Sequence, residues 1–200
     1  CRRNAGGFYY ACYFLPKKKR RAVYAVHAFC CMIVDALRVE AHAINTGTGL
    51  RQHPAVVSPR HLAAPPPTDE TAEGELQTRL AMFHDRLAEI YDGKLELPAV
   101  ASRSEAQHAL EAFRQTAFEY DVPTQYLLDL AEGCRINAAT TRYATWTALL
   151  NYCDHAAGSI AQIIASVLGV THTDAHKKAR QLGAAVRLTT VLRDVKSDRD

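Results

Sequence analysis

The sequence lacks a long apolar run, a CxxC cysteine pair and a glycine-rich phosphate-binding loop. Its longest uncharged apolar stretch, residues 155–173, contains two glycines and several polar side chains. This stretch predicts a buried helix, because a membrane span needs about 20 mostly apolar residues. A continuous apolar segment typical of a secretory signal is also missing. We therefore expect a cytoplasmic protein without a transmembrane segment, whose six cysteines are mostly buried, reduced thiols.

Neither charge sign dominates, but the charges are unevenly distributed. The 200 residues carry 24 basic and 21 acidic side chains, and the net charge of +3 is too small to indicate a nucleic-acid partner. Residues 1–34 contain seven basic side chains and no acid, whereas residues 66–132 contain fourteen acids and five bases. The basic segment can meet phosphate groups or an anionic membrane surface, or it can form a solvated basic face.

Apolar residues recur at helical spacing along almost the whole sequence, and no alternating run typical of a strand is present. The sequence therefore predicts an all-α domain. Pro16, the Thr68 cap and several glycines delimit the helices. The composition of residues 46–67 predicts a flexible loop. The predicted helices cover about residues 17–39, 68–92, 104–119, 124–138, 146–168 and 174–196.

Asp194 and Asp198 stand four residues apart, so a helix would place both carboxylates on one face. Like charges at this spacing repel each other, which favours a bound cation. Mg²⁺ suits such a pair because it prefers oxygen ligands and keeps waters or phosphate oxygens in its shell. The alternative is a solvated helix end at which Arg193, Lys196 and Arg199 neutralise the two acids.

Residues 181–198 closely resemble the second aspartate-rich region of the squalene/phytoene synthase family, usually of the form LGxAxQLTNILRDVxxD. Residues 8–30 are similar to the opening of that family, FYYxxxFLPxxKRRAxYAxYAFC. Residues 152–158 resemble its YCxxVAG segment, which lines a central cavity. Residues 91–93 and 128–145 match the segments between, so the resemblance extends in order along almost the whole sequence.

The resemblance implies an isoprenoid-synthase-like helical bundle around a central hydrophobic cavity. Residues 1–200 would form a single such domain that lacks the C-terminal helices of the family, and bacterial squalene or presqualene diphosphate synthases would be its nearest relatives. The family reaction is a Mg²⁺-dependent head-to-head condensation of two prenyl diphosphates, such as farnesyl diphosphate. It supplies precursors of squalene, hopanoids or carotenoids.

The resemblance also implies the site residues. Asp194 and Asp198 would bind metal, and they would act in catalysis together with Arg193 and Tyr152. The remaining positions would bind substrate: Phe8, Tyr24, Asp35, Gly158, Thr190 and Arg187. Four tyrosines near the start would either line the cavity or belong to the ordinary core: Tyr9, Tyr10, Tyr13 and Tyr24.

The first aspartate-rich region departs from the family pattern. The family has approximately FCRxVDDxVDE, whereas residues 29–39 here are FCCMIVDALRV. An ungapped alignment places Val34 and Arg38 at the two metal-binding aspartates, and Cys31 at an arginine that helps to hold diphosphate. Asp35 remains, one position away from the first ligand. Moving the alignment by one residue places Val39 at the second ligand position, so a second metal-binding face is not rebuilt.

Three other positions also depart from the family pattern and remove contacts to metal or diphosphate. Arg187 replaces a glutamine, Thr190 replaces an asparagine, and Asn137 replaces a residue that is commonly an acid. An enzyme that ionises an allylic diphosphate needs carboxylates, so the pattern favours reduced or lost turnover. Two hypotheses stay open. The chain is a transferase with a one-sided metal site, or it is a catalytically silent relative that acts as a lipid-binding, partner or assembly protein, with peripheral contact to a membrane.

Arg38 and Arg187 have two further interpretations. Their guanidinium groups can face Asp194 or Asp198 and replace the metal by an internal ion pair, which is costly to bury. Alternatively, both arginines extend to solvent.

Overall fold

The computed structural model describes residues 10–37, 70–98, 104–140 and 142–194. These residues contain helices and no strand, so the all-α prediction is confirmed. The predicted flexible loop at 46–67 lies outside the described residues. A 3-10 turn, Cys12–Phe14, precedes the first helix, and a π-helical segment, Asp154–Gly158, joins the fifth to the sixth. The α-helices are α1 (Lys17–Ala36), α2 (Glu70–Tyr91), α3 (Glu105–Glu119), α4 (Thr124–Ala139), α5 (Trp146–Cys153), α6 (Ser159–Leu168) and α7 (Thr173–Asp194).

The core lies where α1, α3, α4 and α6 meet. Phe29 of α1 stacks on Phe113 of α3, with ring centroids 3.9 Å apart and ring planes 13° apart. Val26, Leu127 and Ile163 are completely buried around this pair. Burial of these side chains supplies the main favourable free energy of folding. Among the described helices, none has the length and apolar character required to cross a membrane.

The end of α1 differs from its prediction. The helix was expected to reach residue 39, but it ends at Ala36. Leu37 is buried in the core, and its N–H donates to the carbonyl oxygen of Ile33 at 2.9 Å. The Nη1 of Arg79, from α2, donates to the carbonyl oxygen of Ala36 at 3.3 Å. A side chain from α2 thus contacts the last residue of α1.

The π-helical segment interrupts what was predicted as one regular helix over residues 146–168. Two glycines on neighbouring helices, Gly133 and Gly183, lie close to the backbone of this segment. A Cβ on Gly133 of α4 would lie 2.7 Å from the backbone nitrogen of Ala156, and one on Gly183 of α7 would lie 2.4 Å from the carbonyl oxygen of Ala157. Glycine thus lets the backbones of α4 and α7 come close to this segment. The approach fixes the position of α7 relative to α5.

Helix α3 begins at a reciprocal capping arrangement. The backbone N–H of Gln107 donates to the Oγ of Ser104 at 3.3 Å, and the backbone N–H of Ser104 donates to the Oε1 of Gln107 at 2.8 Å. These bonds satisfy two N–H groups that have no partner within the helix.

Ser104→Ala is therefore expected to lower the free energy of unfolding by about 1 kcal/mol, because the side-chain acceptor is lost. Urea denaturation followed by circular dichroism measures the difference. Thr171→Ala is the matched control, since Thr171 also carries a hydroxyl but is exposed and lies between α6 and α7, outside both helices. The control is expected to change stability by less than about 0.5 kcal/mol. Equal effects of the two variants would contradict the capping role.

Candidate functional site

Arg187 of α7 lies buried against α5. Only 8% of the residue is exposed, and its Nη2 donates a hydrogen bond to the hydroxyl of Tyr152. The guanidinium carbon is 5.2 Å from the centre of the Tyr152 ring, which is within range of a cation–π interaction. The interpretation that Arg187 extends to solvent is therefore wrong. Instead, a permanent positive charge is held inside the bundle.

A second tyrosine extends this cluster. The ring of Tyr143 stacks on the ring of Tyr152, with centroids 5.3 Å apart and planes 23° apart. Burial raises the pKa of both phenols, and at Tyr152 the charge of Arg187 opposes this effect without cancelling it. Both hydroxyls are therefore protonated at neutral pH. Among the described residues, the buried hydroxyl of Tyr143 has no hydrogen-bond partner.

The thiols near Arg187 are neutral. Burial raises the pKa of Cys134 to about 12, against the opposing charge of Arg187. Burial likewise raises the pKa of Cys153. All five cysteines of the described residues are free, and Cys12, Cys30 and Cys153 are buried, as the sequence predicted. The cluster therefore offers one cation and two neutral hydroxyls as groups for an anion.

Arg180, two helical turns before Arg187, links four elements. Its Nε donates to the Oδ2 of Asp154 in the π-helical segment at 2.7 Å. Its Nη1 donates to the Oε1 of Gln162 on α6 at 3.0 Å and to a carboxylate oxygen of Asp129 on α4. The side chains of Arg180 and Asp129 are only 22% and 14% exposed. This network holds α7 against the rest of the bundle.

The contact with Arg180 shifts the pKa of Asp129. Burial acts to raise the pKa of the carboxyl, but hydrogen bonds from Arg180 and Gln125, with the charge of Arg180, outweigh it and lower the pKa below its usual value. Sequence reasoning missed this network. Arg180 and Asp129 are 51 residues apart, and the family match over residues 128–145 assigned no role to Asp129.

Three other predicted site residues lie on α1 and α7. Tyr24 is half-buried and packs against the core from α1. Asp35 is exposed at the end of α1. Thr190 is half-buried, and its hydroxyl donates to the carbonyl oxygen of Val186 at 3.0 Å within α7. Among the predicted residues whose side chains the structure describes, Tyr152 and Arg187 are joined by a hydrogen bond.

The other predicted residues lie at the edge of the described chain or outside it. Gly158 is buried at the end of the π-helical segment, and a Cβ there would lie 2.7 Å from the Cγ of Arg180. Arg193 is exposed in the last turn of α7. Asp194 ends that helix, whereas Phe8 and Asp198 lie outside the described residues.

The tyrosines near the start correct another expectation. Tyr10 and Tyr13 are exposed, so neither belongs to the core. Tyr24 does pack against the core, and Tyr9 lies outside the described residues.

Residues 29–36, which belong to the segment that resembles the first aspartate-rich region, form the last turns of α1. Val34 is half-buried and Asp35 is exposed, while Arg38 lies outside the described residues. The Sγ of Cys31 lies 3.6 Å from the Nδ1 of His27. Burial, with the charge of Asp35, raises the pKa of Cys31 to about 11. A neutral thiol therefore stands at this position.

Comparisons with known proteins agree with the sequence resemblance. A family model described as squalene/phytoene synthase matches residues 1–200. The chain is 30% identical over 132 residues to a phytoene synthase of Pseudescherichia vulneris, covering 66% of this chain and 40% of that protein. It is 26% identical over 197 residues to a phytoene synthase of Mycobacterium tuberculosis, covering 98% of this chain and 51% of that protein. The chain thus spans about half the length of the curated relatives that it matches.

The fold also has a solved counterpart. The crystal structure of squalene synthase HpnC from Alicyclobacillus acidocaldarius superimposes with a TM-score of 0.68, covering 98% of this chain and 59% of that one. The two sequences are 18% identical, so this likeness establishes the fold alone. The expectation of an isoprenoid-synthase-like helical bundle is confirmed.

Proposed function

Because the chain belongs to the squalene/phytoene synthase family, we propose that it binds a prenyl diphosphate between its helices but condenses two such molecules only slowly. The proposed reaction is the head-to-head condensation of isoprenoid biosynthesis, with farnesyl diphosphate as a representative substrate. The reduced turnover rests on one observation, the composition of the last described turns of α1.

These turns offer few ligand atoms for a metal ion. In the described part of α1, Asp35 is the single carboxylate, and it is exposed. Val34 has no ligand atom, and Cys31 supplies a neutral thiol where Mg²⁺ would require oxygen. Asp35 alone therefore does not fit the α1 half of a two-sided magnesium site.

The other half of the site would belong to the end of α7. Asp194 and Asp198 are our proposed magnesium ligands there, with Arg193 beside them for diphosphate. A bound Mg²⁺ would supply charge neutralisation for the diphosphate. A one-sided arrangement leaves part of the departing negative charge uncompensated, which is our reason to expect slow ionisation of the allylic diphosphate.

Arg187 supports the binding half of the proposal. It provides a permanent cation two helical turns before Asp194, and its contact with Tyr152 offsets part of the cost of its burial. Guanidinium groups are well suited to phosphate oxygens because they present several donors in one plane. We propose that Arg187, and Arg38 if it faces inward, replace part of the missing metal charge.

The remaining predicted residues would contribute to substrate binding in a less direct way. Tyr24 and Phe8 would contact the prenyl chain, and Thr190 would contact the diphosphate. Gly158 would allow Arg180 to pack closely behind the site, because any side chain at that position would meet its Cγ.

A catalytically silent relative is the second candidate function. The side of α7 that carries Leu182 and Val186 is exposed, as is Leu192 further along the helix. Exposed apolar side chains at this spacing favour contact with another surface. Such a protein would act as a lipid-binding, partner or assembly component, peripheral at a membrane.

Calorimetric titration of farnesyl diphosphate, with and without Mg²⁺, followed by a product assay, separates the two candidates. Binding with slow release of diphosphate supports the proposal. Rapid Mg²⁺-dependent turnover would contradict the proposed impairment, and the absence of both binding and turnover would favour the silent relative.

Restoring two carboxylates in the segment that resembles the first aspartate-rich region is expected to strengthen binding of the substrate. Val34→Asp combined with Arg38→Asp should increase the Mg²⁺-dependent affinity for farnesyl diphosphate about tenfold, because each added carboxylate supplies an oxygen ligand. The control, Ala81→Asp with Arg86→Asp, makes the same charge change at exposed positions of α2. Circular dichroism checks that both variants fold. An unchanged affinity in the folded variant with Val34→Asp and Arg38→Asp would contradict the alignment on which the site rests.

A further inference from the structure

Exposed aromatic side chains precede α1. Tyr13 is 64% exposed and Phe14 is 90% exposed, whereas Cys12 of the same short turn is buried. The rings of Tyr13 and Phe14 meet edge to face, with centroids 6.3 Å apart and planes 87° apart. The turn is therefore anchored to the core through Cys12 while it presents two adjacent aromatic rings to the surroundings.

Basic side chains lie directly beside these rings. Arg20 donates from its Nη1 to the carbonyl oxygen of Tyr13 at 3.1 Å, and its guanidinium carbon lies 5.3 Å from the centre of the Tyr13 ring. Lys17 and Arg21 are exposed and stand one helical turn apart, so they share the face of α1 next to Arg20. We name Tyr13, Phe14, Lys17, Arg20 and Arg21 the aromatic–basic patch.

We propose that the aromatic–basic patch docks this protein on an anionic lipid bilayer. Lysine and arginine are attracted to the negative headgroups of such a surface. Aromatic rings gain free energy at the boundary between headgroups and acyl chains, where an apolar body is buried and polar groups stay wet. Residues 10–34 contain no acidic side chain that would oppose this contact.

The aromatic part of the patch distinguishes a bilayer from other polyanions. A free phosphate or polyphosphate would be bound by Lys17, Arg20 and Arg21 alone. Phe14 carries no polar group, and its nearly complete exposure beside basic side chains favours a partner that offers apolar surface as well as negative charge. The observations therefore favour lipid.

Contacts with the rest of the bundle hold the patch in place. The Nζ of Lys19 donates to the carbonyl oxygen of Leu168 at the end of α6, at 2.6 Å. Lys18 pairs with Glu119 at the end of α3, at 2.6 Å. These contacts orient the start of α1 before any lipid is present, which lowers the entropic cost of docking.

The test is sedimentation of the protein with vesicles of phosphatidylcholine alone, or of phosphatidylcholine mixed with phosphatidylglycerol. We expect binding to the mixed vesicles that weakens as the salt concentration rises. Phe14→Ser should weaken binding about tenfold through lost apolar burial, and Lys17→Gln and Arg21→Gln about fivefold each. Met82→Ser and Lys178→Gln change exposed positions elsewhere and should bind like the unmodified protein.

Equal binding to both kinds of vesicle would overturn the proposal, as would mixed-vesicle binding that folded Phe14→Ser retains in full. So would equal losses in the two control variants. A protein that binds inorganic polyphosphate but no vesicle would overturn it too, and would show that the patch recognises a free anion. Because no prenyl diphosphate is present in this assay, its outcome is independent of the proposed synthase function.

Discussion

Replacing Arg180 by methionine is expected to lower the free energy of unfolding by about 3 kcal/mol at neutral pH. Arg180 donates to Asp129, Asp154 and Gln162, which lie on three other elements. Methionine retains most of the side-chain volume but leaves the carboxylate of Asp129 desolvated and without its counterion. The partial exposure of Asp154 reduces the contribution from that second carboxylate.

The effect of Arg180→Met should depend on pH with a defined sign. In the unmodified protein the pKa of Asp129 is lowered on folding, so its contribution to stability is present above the unfolded pKa of about 3.9. That contribution is lost as the pH falls through the lower folded pKa. In the variant, burial acts without the guanidinium and raises the pKa of Asp129, so protonation relieves the folded state. The difference in stability between the two proteins should therefore be largest near neutral pH. It should narrow as the pH falls through the raised pKa of Asp129 in the variant, and narrow further through the lowered pKa of Asp129 in the unmodified protein.

Two variants control for the loss of a charged side chain. Arg135→Met breaks a pair with Glu132 whose side chains are both about 40% exposed, and it should cost less than about 1 kcal/mol. Arg180→Met combined with Asp129→Asn removes the isolated charge and should recover about 1 kcal/mol. Chemical denaturation over a pH series measures all three. A cost at Arg180 no larger than that at Arg135 would exclude a structural role for the network.

Gly183→Ala is expected to lower the free energy of unfolding by about 3 kcal/mol, at the upper end for overpacking a core. The new Cβ would lie 2.4 Å from the carbonyl oxygen of Ala157 and 2.8 Å from the Cβ of Ala161. The closest of these atoms is backbone, so a rotamer change cannot relieve the contact. Helix α7 would have to move away from the π-helical segment, and Arg187 would move with it.

Gly74→Ala is the matched control for this prediction. Gly74 also lies within a helix, α2, but a Cβ there meets nothing within 4 Å. Its replacement should raise stability by about 0.5–1 kcal/mol, because alanine has the better helix propensity. Thermal denaturation of the two variants should thus shift the midpoints in opposite directions. A neutral Gly183→Ala would mean that α7 and the π-helical segment are not in close contact.

The sequence by itself determined the positions of most helices and the family. Residues 104–119 and 124–138 were predicted to be helical, and the observed helices agree within one residue at each end. Helical periodicity and capping residues are local properties, so they can be recognised in the sequence without knowledge of the tertiary structure. The ordered motifs are equally local, which is why the family could be named from them and Tyr152 and Arg187 selected as site residues.

Only the tertiary structure decided where those residues lie and what they contact. The burial of Arg187 against Tyr152 and the network around Arg180 each depend on residues from elements distant in the sequence. The π-helical segment follows from close backbone approaches at Gly133 and Gly183 on two other helices. In the sequence alone, a single arginine or glycine within a helical pattern can lie either at the surface or in the interior of the folded protein. The choice is made by the packing of the helices, because the free energy of burying a charge depends on the partner that it finds there.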